Sequence, residues 1–118
     1  MGATEKISVG MTVSGDLQGE YIFAGPLGNR ITASSEASAG ATCEISSLFR
    51  KLQYRSKNSI EAWLTLNCMF EGQKSSYRTH RIYLSLDKPR QKVKLPMLAK
   101  NLRNIQLEFH ELSLKLGK

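Results

Sequence analysis

Along residues 60–70 every even position is apolar: Ile60, Ala62, Leu64, Leu66, Cys68 and Phe70. The odd positions, Glu61, Trp63, Thr65, Asn67 and Met69, are mixed. Such strict alternation fits a strand with one buried face and does not fit a helical period. Glu71-Gly72-Gln73-Lys74-Ser75 predicts a turn, and Tyr77–Leu86 a returning strand with Ile82, Leu84 and Leu86 inward. If the turn spans 71–75, Phe70 opposes Ser76. Leu64 then faces Ile82, Ala62 faces Leu84 and Ile60 faces Leu86. On the other face Trp63 meets Tyr83, Thr65 meets Arg81 and Met69 meets Tyr77. A slip by one residue would set apolar against polar on both faces, whereas a slip by two is compatible with the pattern.

The rest of the chain reads as shorter strands. Lys6–Ser14 alternates, with Ile7, Val9, Met11 and Val13 on one face. Gly15-Asp16 breaks it, a strand follows at Glu20–Ala24, and Gly25-Pro26-Leu27-Gly28-Asn29 is dense in turn formers. Residues 32–42 are small and polar, compatible with a loop or a flat strand. Ile45, Leu48, Phe49 and Leu52 recur at helical spacing, and Ser46 or Ser47 can cap an N-terminus, so one short helix is expected near 47–54. Asp87-Lys88-Pro89-Arg90 predicts a turn, and Gln91–Leu95 a strand with Val93 and Leu95 inward. Residues 96–101 are expected to be irregular or a single helical turn. A last strand carries Ile105, Leu107 and Phe109, after which the apolar parity moves to Leu112, Leu114 and Leu116. That shift predicts a β-bulge near His110-Glu111.

Short strands with turns at this spacing predict an all-β or mostly β domain, an antiparallel β-sandwich or alternatively a small β-barrel. At 118 residues the chain fits one domain, residues 6–116, preceded by a short disordered or added extension at 1–5. With 41% hydrophobic and 23% charged residues, the composition is that of an ordinary globular domain. No apolar stretch approaches the roughly 20 residues needed to span a bilayer as a helix.

Cys43 and Cys68 are the two cysteines. A disulfide between them would stabilise the fold by roughly 3 kcal/mol in the chain-entropy model and would fit an oxidising compartment. The alternative is two buried thiols packed as small apolar groups. The first reading predicts a periplasmic or extracellular protein, the second a cytoplasmic one. The spacing of cysteines and tryptophan is unlike that of an immunoglobulin domain.

The charge of +7 is unevenly placed. Through Phe49 two basic residues stand against five acidic ones, giving −3; from Arg50 onward fifteen stand against five, giving +10. Lys88, Arg90, Lys92 and Lys94 share one face of an extended segment. They would either meet a polyanion, a nucleic acid or an anionic glycan, or protect an edge strand from aggregation. Trp63, Tyr77, Arg81 and Tyr83 lie on the face of the hairpin away from the core. They would either anchor a partner or stabilise the sheet as cross-strand pairs.

Catalytic and metal signatures are absent from the sequence. The cysteines and histidines, His80 and His110, lack the paired short spacing of zinc sites, and Cys68 reads as core rather than as a nucleophile paired with His80. No phosphate loop, nucleophile elbow or HExxH occurs. The expectation is therefore a non-enzymatic module without a cofactor. It would bind another protein, as an exported accessory subunit of an envelope, secretion or surface assembly. The alternative is a barrel that binds single-stranded nucleic acid or an anionic glycan through its aromatic and basic residues.

Overall fold

A computed structural model describes residues 4–35, 41–52, 58–70, 72–78, 81–97 and 103–117. Nine strands are formed among them: β1 (Thr4–Ser14), β2 (Gly19–Pro26), β3 (Arg30–Ser35), β4 (Ala41–Lys51), β5 (Ser59–Phe70), β6 (Gln73–Arg78), β7 (Ile82–Ser85), β8 (Arg90–Lys94) and β9 (Gln106–Gly117). The pairs are antiparallel, in the order β6-β5-β4-β3-β2-β1-β9-β8, with β7 also on β5. No described residue is helical. β2, β1, β9 and β8 make a first sheet; β3, β4, β5 and the β6/β7 line make a second packed against it. β3 turns the corner between them, pairing with β2 only at Tyr21↔Ser35 and Ile22↔Ser34 and with β4 from Arg30 to Ala33. The far edges, β8 and β7, do not pair, so the barrel is not closed and the architecture is a sandwich. Between β7 and β8 the side-chain amide of Gln91 stands in for a ladder. It accepts from the Ser85 N–H at 2.8 Å and donates to the Ser85 carbonyl at 2.6 Å.

The core is what the alternation predicts. Ile7, Val9, Met11 and Val13 of β1 and Ile60, Ala62, Leu64 and Leu66 of β5 are all buried in one hydrophobic cluster. Phe23 and Phe49, from opposite sheets, meet edge to face with centroids 5.6 Å apart. Burying one such side chain contributes about 1.5–3 kcal/mol. β1 begins at Thr4, ahead of the alternating run, and Glu5 pairs with Lys51 of β4 at 2.7 Å. The bulge lies where the parity shift predicts it: Gly10 pairs with His110 but Ser8 with Ser113, and Glu111 has φ 55. A Cβ at Gly10 would sit 2.6 Å from Cε1 of the His110 ring, so any larger residue here would push that ring aside.

Two expectations are corrected. The helix near 47–54 is not formed; residues 47–51 belong to β4, and residues 53–54 lie outside the described residues. The true period there is two, with Cys43, Ile45, Ser47 and Phe49 inward. A serine on the core side and Leu48 on the outer side imitate helical spacing. The hairpin register is also different. Gly72 has φ 80, which suits a tight turn, and Phe70 pairs with Gln73, so the turn is 71–72 rather than 71–75. Tyr77 consequently stands opposite Leu66, not Met69. The return strand is moreover interrupted between Arg78 and Ile82, where it gains one residue relative to β5. Tyr83 therefore faces Glu61 rather than Trp63, and Leu84 faces Ile60: the slip by two that preserves the faces. The expected disulfide is formed: Cys43 and Cys68 are bonded as direct cross-strand partners within the second sheet.

Candidate interaction surface

The outer face of the second sheet is built from the odd positions of β5 and their neighbours. Trp63 pairs with Leu48 of β4; on its other side β6 reaches only to Thr65 and β7 only to Ala62. That interruption brings Arg81 over the indole. Its guanidinium carbon lies 5.1 Å from the Trp63 ring centre and 5.5 Å from that of Tyr83, within cation–π range of both. Glu61 fixes the group from below. It holds Arg81 at 3.6 Å and accepts the Trp63 indole N–H at 3.3 Å. Next to it, the Arg30 guanidinium donates to Ser46 at 3.1 Å and to Thr65 at 3.2 Å, tying β3 to β4 and β5. Trp63 is 36% exposed and Tyr83 56%.

The structure thus brings three of the four predicted aromatic and basic residues together: Trp63, Arg81 and Tyr83. The side chain of Tyr77 lies outside the described portion. Glu61 escaped the sequence reading. With Tyr83 set opposite Trp63, Glu61 would have faced Ser85; the correct register was the missing signal.

The basic run sits elsewhere. Arg90, Lys92 and Lys94 are exposed on the outer face of β8, the edge of the first sheet, and Lys88 lies in the connection before it. Glu108 of β9 pairs with Arg90 at 3.3 Å and with Lys92 at 4.0 Å, so one carboxylate is shared by two of these cations. The aromatic group and the basic run occupy the outer faces of opposite sheets and do not form one continuous binding strip.

His110 is half-buried, its Nε2 within 3.0 Å of the Thr12 hydroxyl, with its ring against Gly10. His80 lies outside the described residues. Among the described residues no helix is long and apolar enough to cross a membrane. Neither a family model, nor a curated protein, nor a solved structure matches the chain.

Proposed function

We propose that this chain is a non-enzymatic interaction module of the periplasm or cell surface, an accessory subunit that binds another protein in an envelope, secretion or surface assembly. The docking surface is the outer face of the second sheet. The observation that carries this reading is the Trp63–Arg81–Tyr83 stack, pre-assembled and exposed. Tryptophan, tyrosine and arginine are the residues most enriched where protein interfaces concentrate their energy. Here the guanidinium is already oriented by two rings and Glu61, so little conformational freedom is lost when a partner covers it. The disulfide supports placement in an oxidising compartment.

The test is a photo-crosslinking residue at position 63, with position 22 as control. Ile22 is exposed on the outer face of the other sheet. The proposal expects a discrete adduct with another protein from position 63 in cells of the source organism and none from position 22. No adduct at 63, or the same adducts from both positions, would overturn it. Retention on heparin or single-stranded DNA that falls steeply with salt, with no protein adduct, would point to a polyanion as the ligand instead.

A further inference from the structure

β8 pairs with β9 only from Gln106 to His110, and the bulge follows at once. Over residues 111–117 the described strand partner of β9 is β1 alone, so among the described residues its other side is an open backbone edge. This half-strand is also short of apolar cover. Leu112 and Leu114 are half-buried and Leu116 is 73% exposed, whereas Leu107 and Phe109, beside β8, are fully buried. Ile7, the β1 partner of Leu114, is buried too, so what is missing lies on the open side. There a cleft of about 410 Å³ is lined on its apolar side by Leu86, Pro89 and Leu112.

Residues 111–115 read Glu-Leu-Ser-Leu-Lys, opposite in charge at the two ends and alike on either side of the centre. Laid antiparallel on a second copy about Ser113, this stretch complements itself. Glu111 comes against Lys115 of the other chain, and Lys115 against its Glu111. Leu112 and Leu114 oppose each other twice, and the two Ser113 residues, small and uncharged, meet on the axis. A slip by one residue would set leucine against lysine, and a slip by two would take both ion pairs out of direct opposition. Within the chain Lys115 stands opposite Lys6, so a carboxylate on its open side offsets a repulsion already present.

β8, which forms the rest of this sheet edge, has the reverse property. Laid on its own copy about Lys92, it sets Lys92 against Lys92 and Arg90 against Lys94 at both ends. Glu108 reaches only Arg90 and Lys92, leaving an excess of positive charge. One stretch of the edge therefore repels a second copy, and the adjoining stretch matches it.

We propose that residues 111–115 of β9 pair antiparallel with the same residues of a second copy, across a two-fold axis at Ser113. The paired stretch ends at Lys115, because from His110 backward the edge is already taken by β8. The partner's Leu114 comes over Leu112 beside the cleft and supplies the apolar cover that this half-strand lacks. Such a contact uses both open edges and closes at two chains, so no filament grows from it. Its small extent places it among weak interfaces, formed at micromolar concentration or above. It belongs to the first sheet and does not depend on the reading of the Trp63 face.

Sedimentation velocity over a concentration series at low ionic strength tests this, with backbone amide exchange as the local readout. The expected result is a monomer–dimer equilibrium, with new protection confined to residues 111–115 and the Leu86–Arg90 corner. Glu111→Lys and Lys115→Glu each reverse two symmetry-related pairs at once and should weaken the dimer about tenfold or more. Lys115→Glu also removes the Lys6 repulsion inside the chain, so loss of the dimer there does not come from a weakened fold. The double exchange Glu111→Lys/Lys115→Glu restores both pairs and should recover the dimer. Mixing the two single variants should likewise give a heterodimer. Trp63→Ala should leave the equilibrium unchanged. A chain that stays monomeric to millimolar concentration, or single variants that dimerise as well as the parent, would overturn the proposal. So would failure of the double exchange or of the mixed variants to associate, or a dimer lost in Trp63→Ala.

Discussion

At Ser47 a hydroxyl is buried on the core side of β4, between its cross-strand neighbours Ile31 and Leu64, with no hydrogen-bond partner among the described residues. A buried hydroxyl without a partner costs about 1–3 kcal/mol relative to one that is paired. Ser47→Ala is therefore expected to raise stability by about 1 kcal/mol, seen as a higher urea midpoint with an unchanged slope. The same residue explains why β4 was the least legible element. Reading Ser47 outward and Leu48 inward gives a helical spacing; in the fold Leu48 is the outer neighbour of Trp63. A propensity reading assigns polar residues to the surface, and this is one polar residue that the packing overrides.

At the scale of elements, legibility followed the regularity of the pattern. The β5 alternation is uninterrupted, and its inward set is buried from Ile60 to Cys68. The bulge in β9 was readable because three apolar residues on each side of it announce opposite parities. The return strand was not, because its register depends on a two-residue turn at Gly72 and on an extra residue between Arg78 and Ile82, neither of which leaves a hydrophobic signature. Hence Trp63, Arg81 and Tyr83 were assigned to the right face, while the pairing between them was misplaced. The disulfide joins the two strands of the β4–β5 ladder, which pair from Ala41↔Phe70 to Lys51↔Ile60. Replacing both cysteines by alanine is expected to lower stability by roughly 3 kcal/mol, chiefly by loosening the unfolded chain, without changing the strand pattern. Equilibrium urea unfolding of the double variant, with circular dichroism of its folded state, checks both halves of that statement.

For the whole molecule, the two layers meet over a core to which Tyr21 of β2 contributes a buried phenol. Burial raises its pKa above the ordinary 10.0, since the charged form would lose its hydration. Above pH 10 the unfolded chain releases this proton before the folded one does. The unfolded state then binds fewer protons, and stability falls as pH rises through that window. Below it the contribution is constant. Tyr21→Phe is expected to flatten the alkaline limb of a stability-against-pH curve; an unchanged limb would assign it to other groups. The sandwich also separates its surfaces by sheet, with the aromatic stack on one outer face and the cationic line and open β9 edge on the other layer.

That separation makes a central claim: the Trp63–Arg81–Tyr83 face is carried by the fold but not required for it. Urea unfolding of the double variant Trp63→Ala/Tyr83→Ala tests this most directly. Exposed aromatic pairs contribute on the order of 0.2–1 kcal/mol to a sheet. The expected result is a cooperative transition with its midpoint lowered only by that amount and its slope unchanged. Loss of cooperativity, or destabilisation of about 3 kcal/mol or more, the scale of a deleted core aromatic, would make the face part of the structure and remove the ground for calling it a docking surface.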